Sequence, residues 1–393
     1  MRLPRAWAVV TGGFLLLACG RAEAQGLNDV LGGLLGSNCA ALGGTARQYG
    51  PELTEICAVP LTGTGSSTGG TPASESRLSV IGAEQRVYRR TRERRQAASS
   101  DAGRGFGLFF TTDYEKFDQD TTRFEGGFER DTLGGTVGGD YVLNPSVILG
   151  AAFNYAHEFG DYDGVGGGFD HDSYGILLYT SLAPSPQSFV DLVAGYIRKD
   201  YGFERRVGVA IPAPAGGRPL TVDGPTRGDT EGDEVRFSVA GGYDFVFGSV
   251  TVGPRLGVHY RDLAIDGFRE SGSTGLELVY DNQNIVSLTT NAGIYGAMAI
   301  STGFGVVVPQ ATIEYVHEFL NDQRSVGFRL AQDLASQKFR FQTDRPDRDY
   351  VHIAPGVSVV FPGGTTAFAS FRELVGYRDR SSHAVSLGVR VPF

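Results

Sequence analysis

Residues 234–262 read EVRFSVAGGYDFVFGSVTVGPRLGVHYRD. Taken every second residue, one face of the first half runs Val235, Phe237, Val239, Gly241, Tyr243, Phe245, Phe247, and the other Arg236, Ser238, Ala240, Gly242, Asp244, Val246. After Gly248-Ser249 the pattern resumes as Val250, Val252, Pro254, Leu256, Val258, Tyr260 against Thr251, Gly253, Arg255, Gly257, His259, Arg261. A period of two places each set on one side of an extended strand. The two residues between the halves make a tight turn, so the stretch predicts an antiparallel hairpin.

The apolar face is unusual in having no charge. Two further segments repeat it: Val351, Ile353, Pro355, Val357, Val359, Phe361, and Val385, Leu387, Val389, Val391, Phe393. Together the four faces hold 24 positions, none charged, although 20% of the chain is Asp, Glu, Lys or Arg. The opposite faces are small, polar or charged. A soluble sandwich turns bulky charged residues outward, whereas a wall between lipid and a wet lumen has this distribution. A sheet in hydrocarbon must also close, because an open edge leaves backbone groups unsatisfied.

Twelve such segments are expected: 105–115, 132–143, 147–158, 171–183, 188–200, 234–247, 250–262, 287–300, 304–319, 349–361, 365–376 and 382–393. Their connections alternate between two to four residues and long stretches such as 201–233 and 320–348. The fold class expected is all-β, a twelve-stranded antiparallel transmembrane barrel with an N-terminal helix and linker segment. Composition agrees. Gly is 57 of 393 residues, about twice the usual ~7%, and 25 Phe and 17 Tyr accompany a single Trp. A hydrophobic fraction of 41% excludes a disordered chain, and a net charge of −9 gives no support for nucleic-acid binding.

Upstream the texture differs. Residues 1–24 have a basic start (Arg2, Arg5), an apolar run from Ala6 to Ala18 and an Ala22-Glu23-Ala24 cleavage site, so a signal peptide is expected. Leu16-Leu17-Ala18-Cys19 offers a rival, lipidation at Cys19. Residues 25–74 form a short region ending in a Gly/Ser/Thr linker. Its Cys39 and Cys57 are a candidate disulfide in an oxidising compartment. Residues 75–102 are expected to be a basic linker helix, since 75–98 carry seven Arg against three Glu; residues 103–393 are the barrel.

Residues 103–393, about 290 of 393, resemble the translocator domain of autotransporters (type V secretion). The resemblance lies in Gly134-Gly135…Gly138…Asp140 with Leu149-Gly150…Tyr155, and in Asp172-Ser173-Tyr174-Gly175…Tyr179 with Asp191-Leu192…Gly195-Tyr196. It is densest in Gly242-Tyr243…Pro254…Tyr260…Phe268…Glu270…Gly272 and Gln283…Ser287-Leu288…Gly293. It departs in a barrel without Trp and in an upstream region far shorter than the family's usual passenger.

The resemblance implies an outer-membrane barrel of a Gram-negative cell that translocates or anchors a short N-terminal segment at the surface. It implies outer-membrane lipids, the barrel assembly machinery and periplasmic chaperones as partners, a monomer, and no cofactor. Phe393, with Val391, Val389 and Leu387, resembles the terminal signal read by that machinery. Arg86, Arg89, Arg90, Arg92, Arg94 and Arg95 are candidate pore-plugging residues, as the chain beyond the basic segment sums to −13; a solvated periplasmic helix is the other reading. A passive channel of the porin kind and a surface adhesin acting through long loops stand as alternatives.

No enzyme is expected. Gly65-Ser66-Ser67-Thr68-Gly69 matches G-x-S-x-G but lies in a linker. His171 and Ser173 share one strand face, where a lipid-facing hydroxyl beside an imidazole could perform acyl transfer. The acidic groups Asp161, Asp163, Asp170, Asp172 and Asp229, Glu231, Asp233, Glu234 could bind Ca²⁺ but lack EF-hand spacing, and the six His show no zinc-like spacing.

Overall fold

The computed structural model describes residues 65–67 and 105–393, apart from 165, 212–219, 334 and 335. All regular structure among the described residues is strand. The barrel strands are β1 (Phe106–Gln119), β2 (Phe128–Asn144), β3 (Val147–Tyr162), β4 (Gly167–Leu182), β5 (Ser188–Ile211), β6 (Leu220–Tyr243, continued by Phe245–Phe247), β7 (Val250–Ile265), β8 (Gln283–Met298, continued by Ile300–Thr302), β9 (Gly305–Glu318), β10 (Asp349–Val360), β11 (Thr366–Val375) and β12 (Arg380–Pro392). Each pairs antiparallel with the next. Pairing of β12 with β1, from Gly107↔Pro392 to Gln119↔Arg380, closes the ring. The result is a closed twelve-strand antiparallel barrel.

The five short turns gather at one end with the two barrel termini, and the long connections gather at the other. One short turn is pinned by Asn144, whose Oδ1 accepts from the Ser146 amide at 2.9 Å. The β6–β7 turn needs Gly248, at φ 62°, a conformation that costs a side-chain-bearing residue.

The alternation read from sequence is the alternation of the wall. Leu256 is 65% exposed on the outside, while its neighbours Arg255 and Gly257 face the lumen. A belt of Phe110, Leu133, Phe153, Ile176, Leu178, Phe237, Ile294, Ile313 and Leu387 is likewise exposed. Facing lipid, these side chains are covered as a soluble protein's core is.

The first eight strands run further at their outer ends than expected. A membrane needs about 9–11 residues per tilted strand; β5 and β6 have 24 each. The stretch 201–233 is thus mostly a hairpin projecting past the rim rather than a loop. Its outward face changes from apolar to charged, with Glu204 paired to Arg227 and Arg206 to Asp223. The lipid signature ends there although the pairing does not. Beyond the rim the connections after β7 and β9 supply Phe268–Arg269, Leu278–Tyr280, Ser325–Leu330 and Phe339–Gln342, which pair in that order into a separate four-stranded sheet.

Candidate functional site

The site is the lumen and its outer mouth, and it is built from the inward members of the alternation. At the turn end, Phe109, Ala152, Leu177, Tyr179 and Val193 pack together inside the wall. Tyr179 lies flat against β3 because its partner is Gly150, where a Cβ would sit 2.1 Å from the ring. Nearby Arg390 reaches Asp140 at 3.3 Å across the β1–β12 seam. Arg255 stacks on Phe189 and Tyr295 at 4.7 and 4.9 Å and pairs with Asp244.

Halfway along, side-chain hydrogen bonds link strands. His259 contacts Ser238 Oγ at 3.1 Å and Asn291 Oδ1 at 3.0 Å, and Asn291 donates to Glu314 at 3.0 Å. Beside them is a cavity of about 100 Å³ lined by Asp191, Arg255, His259, Gln310, Thr312 and Glu314.

Toward the outer end the lumen carries a ladder of alternating charge. Arg130 lies 3.6 Å from Glu158, Lys199 lies 4.0 Å from Glu158 and 3.9 Å from Glu234, and Arg236 pairs with Glu234. All five are almost fully buried. Charges removed from bulk water persist only when paired and hydrogen-bonded. Their pairing across β2, β3, β5 and β6 fixes the wall as much as it polarises the lumen. Above the ladder Phe117, Phe128, Tyr162, Phe169, Val316, Tyr350 and Leu374 form an aromatic layer under the outer loops. The loops tie to one another through Thr122 Oγ1 to Asp344 (2.6 Å) and Arg378 to Asp347 (2.5 Å). Burial pushes the Asp347 carboxyl up, but the Arg378 hydrogen bonds outweigh it and hold the group below the usual aspartate range.

His171 and Ser173 are brought into the lumen and are both buried. His171 donates from Nδ1 to the Asp170 carbonyl at 2.8 Å and stacks on Phe169 at 4.9 Å. A lipid-facing acyl-transfer pair is thereby overturned: β4 enters from its outer end one residue out of the register that the idea required. The second acidic group splits across the wall, with Glu234 inside and Asp233, Glu231 and Asp229 on the other face or above it. The lumen carries both signs, so much of the acidic excess lies at the outer end. Phe393, Val391, Val389 and Leu387 all point outward, Phe393 being 72% exposed. Its amide donates to the Phe106 carbonyl at 2.7 Å. Cys39, Cys57 and the arginines at 86, 89, 90, 92, 94 and 95 lie outside the described residues.

Sequence reasoning missed an outer girdle. Tyr114 donates to Asp131 (2.5 Å), Tyr155 to Asp172 (2.7 Å), Tyr196 to Asp233 (2.5 Å) and Tyr315 to Asp349. The carboxylate of each pair comes from the adjoining strand, so no local motif shows it. One signal was present: 155–159 reads YAHEF and 315–319 reads YVHEF.

The autotransporter β-domain family profile matches residues 108–372. Solved structures that share the fold include two autotransporter domains. The translocator domain of the autotransporter NalP from Neisseria meningitidis aligns with a TM-score of 0.55 at 15% identity, covering 78% of this chain and 96% of that one. The β domain of the Bordetella autotransporter BrkA aligns with a TM-score of 0.50 at 18% identity, covering 74% and 100%. Among curated proteins none matches the chain by sequence.

Proposed function

This chain belongs to the autotransporter β-domain family, and on that premise we propose that its barrel carries residues 25–74 to the outer face of the outer membrane and holds them there. The observation that supports this best is a short strand, Gly65–Ser67, that pairs antiparallel with Val207–Val209 on the projecting part of β5. Those β5 residues stand past the last β4–β5 pair, Gly167↔Arg205, on the long-loop side of the wall. A linker that adds a strand there leads its upstream residues outward, with Cys39 and Cys57 as one disulfide stapling the displayed segment. Residues 1–24 act as the export signal. The family's translocator barrels are non-enzymatic in general, and this barrel is read the same way.

On this reading residues 75–102, which join the linker to the turn-end start of β1, would pass through the lumen. Arg86, Arg89, Arg90, Arg92, Arg94 and Arg95 would meet Glu158, Glu234 and Glu314 there, in a confined space where ion pairs are less screened than on a surface. The outward, terminal Phe393 is the natural handle for the assembly machinery. Deleting it should lower membrane insertion several-fold without lowering export to the periplasm; normal insertion would remove that role.

An epitope placed within 25–60 and protease added to intact cells test the reading. Loss of the epitope is expected. Its protection, with the outer loops still cleaved, would favour a passive channel whose N-terminal segment stays in the periplasm.

A further inference from the structure

We propose that His157, Asp170 and Asp172 form a site for a divalent transition-metal cation of the Zn²⁺ class on the outward face of the barrel wall. The three residues belong to adjacent strands. Tyr155, His157 and Phe159 point outward from β3, Asp172 stands directly opposite His157, and Asp170 stands opposite Phe159. His157 Nδ1 lies 3.2 Å from Asp172 Oδ1, and Nε2 lies 3.5 Å from Asp170 Oδ2. One ring nitrogen and one oxygen of each carboxylate all fall within 4.8 Å of one another. Zinc bonds of about 2.0–2.2 Å put tetrahedral donors roughly 3.3–3.6 Å apart, a contraction that side-chain rotation supplies. The Tyr155 hydroxyl orients Asp172 by donating to the same Oδ1 at 2.7 Å, and no contact among the described residues reaches its Oδ2.

The molecule contains its own control. Tyr315, His317 and Phe319 repeat the motif on β9, Asp349 stands opposite His317, and Asp347 precedes Asp349 as Asp170 precedes Asp172. The Tyr and His contacts are repeated too, with His317 Nδ1 2.7 Å from Asp349 Oδ1. The two frames differ in their guanidinium neighbours, Arg348 lying near Asp349 and Arg378 on Asp347. Asp347 is clamped by Arg378, through Nη2 at 2.5 Å and Nε at 3.0 Å. Among the described residues His157 is the ion-pair partner of both Asp170 and Asp172, and Asp170 is 65% exposed. A frame that is completed by a guanidinium in one copy is left without one in the other.

The donor set selects the ion. One imidazole nitrogen with two carboxylates suits Zn²⁺ and its neighbours, whereas Mg²⁺ and Ca²⁺ favour six or more oxygens. Three protein donors leave an outward position for water or an anionic oxygen. That position opens at the level of Tyr155, Tyr174 and Phe159, the aromatic boundary of the membrane. Nothing in this inference depends on what the barrel transports.

The test uses the full-length, tag-free protein in detergent, with Cys39 and Cys57 changed to Ser, titrated with Zn²⁺ by calorimetry. One saturable site per chain is expected, weakened at least tenfold in His157→Gln and in Asp170→Asn and unchanged in His317→Gln. Excess Mg²⁺ should not compete. Absence of binding, or equal binding in the His157 and Asp170 variants, would overturn the proposal. In the chain carrying no His or Asp change, Co²⁺ should broaden the His157 ring resonance and leave that of His317 sharp. Equal broadening of both would also overturn it.

Discussion

The barrel wall and the cap above it are both built of strands, yet opposite physics holds them. Within the membrane, the outward face of β7 is Val252, Pro254, Leu256 and Val258, all exposed to lipid, and the inward face is polar. Past the rim the arrangement inverts. Phe268, Leu278, Tyr280, Phe328 and Phe341 are buried between the outer strands, and charged pairs such as Lys338–Asp281 and Arg206–Asp223 face water. A wall is an inside-out protein; its cap is an ordinary one. The transition falls at the row of Tyr–Asp pairs.

That contrast predicts which substitutions cost most. Leu256→Arg puts a charge into lipid and should destabilise the barrel by roughly 2–4 kcal/mol near the midplane. Thr312→Lys, which enters the lumenal cavity beside Glu314, should cost less than half of that. The temperature at which the compact form disappears from unboiled gels reads both, and the reverse ranking would mean that the register is slipped by one. Next in size is Gly150→Val. Its side chain would overlap the Tyr179 ring, and overpacking of this kind costs about 1–3 kcal/mol. Tyr179→Ala in the same chain should recover part of the loss.

A smaller, pH-dependent effect belongs to the cap. Because the folded Asp347 carboxyl is depressed by Arg378, its tether is at full strength above the unfolded aspartate value and is lost as pH falls through the lower folded one. Protease cleavage within 319–348 should therefore accelerate in acid, and Arg378→Gln should abolish the difference while leaving the compact form intact. Acid that loosened the wall before the cap would contradict the division drawn here.

Legibility in the sequence follows the same boundary. The uncharged faces of β6, β7, β10 and β12 exposed the wall because lipid imposes one rule on every outward position. All twelve strands were placed, with inner ends within about two residues. The outer ends of β1 to β8 were not: β5 and β6 continue to Ile211 and from Leu220, through residues such as Glu204, Arg206 and Asp223 that obey no lipid rule. The charge ladder from Arg130 to Arg236 was mostly hidden: apart from Glu234 and Arg236, its partners lie tens of residues apart and meet only once the strands pair. His157 is the sharpest case. It has no metal-like spacing, yet strand pairing sets it beside two carboxylates.

Closure of β1 on β12 carries the account, because without it the lumen, the ladder and the lipid-facing edge all fail together. Phe110 and Val389 are direct partners on the outward face of that seam. With the native cysteines replaced, Phe110→Cys and Val389→Cys should be joined in membranes by a short bifunctional thiol reagent, within one chain and only in the compact, unboiled form. Linkage between chains, or none at all while that form persists, would contradict a closed monomeric barrel.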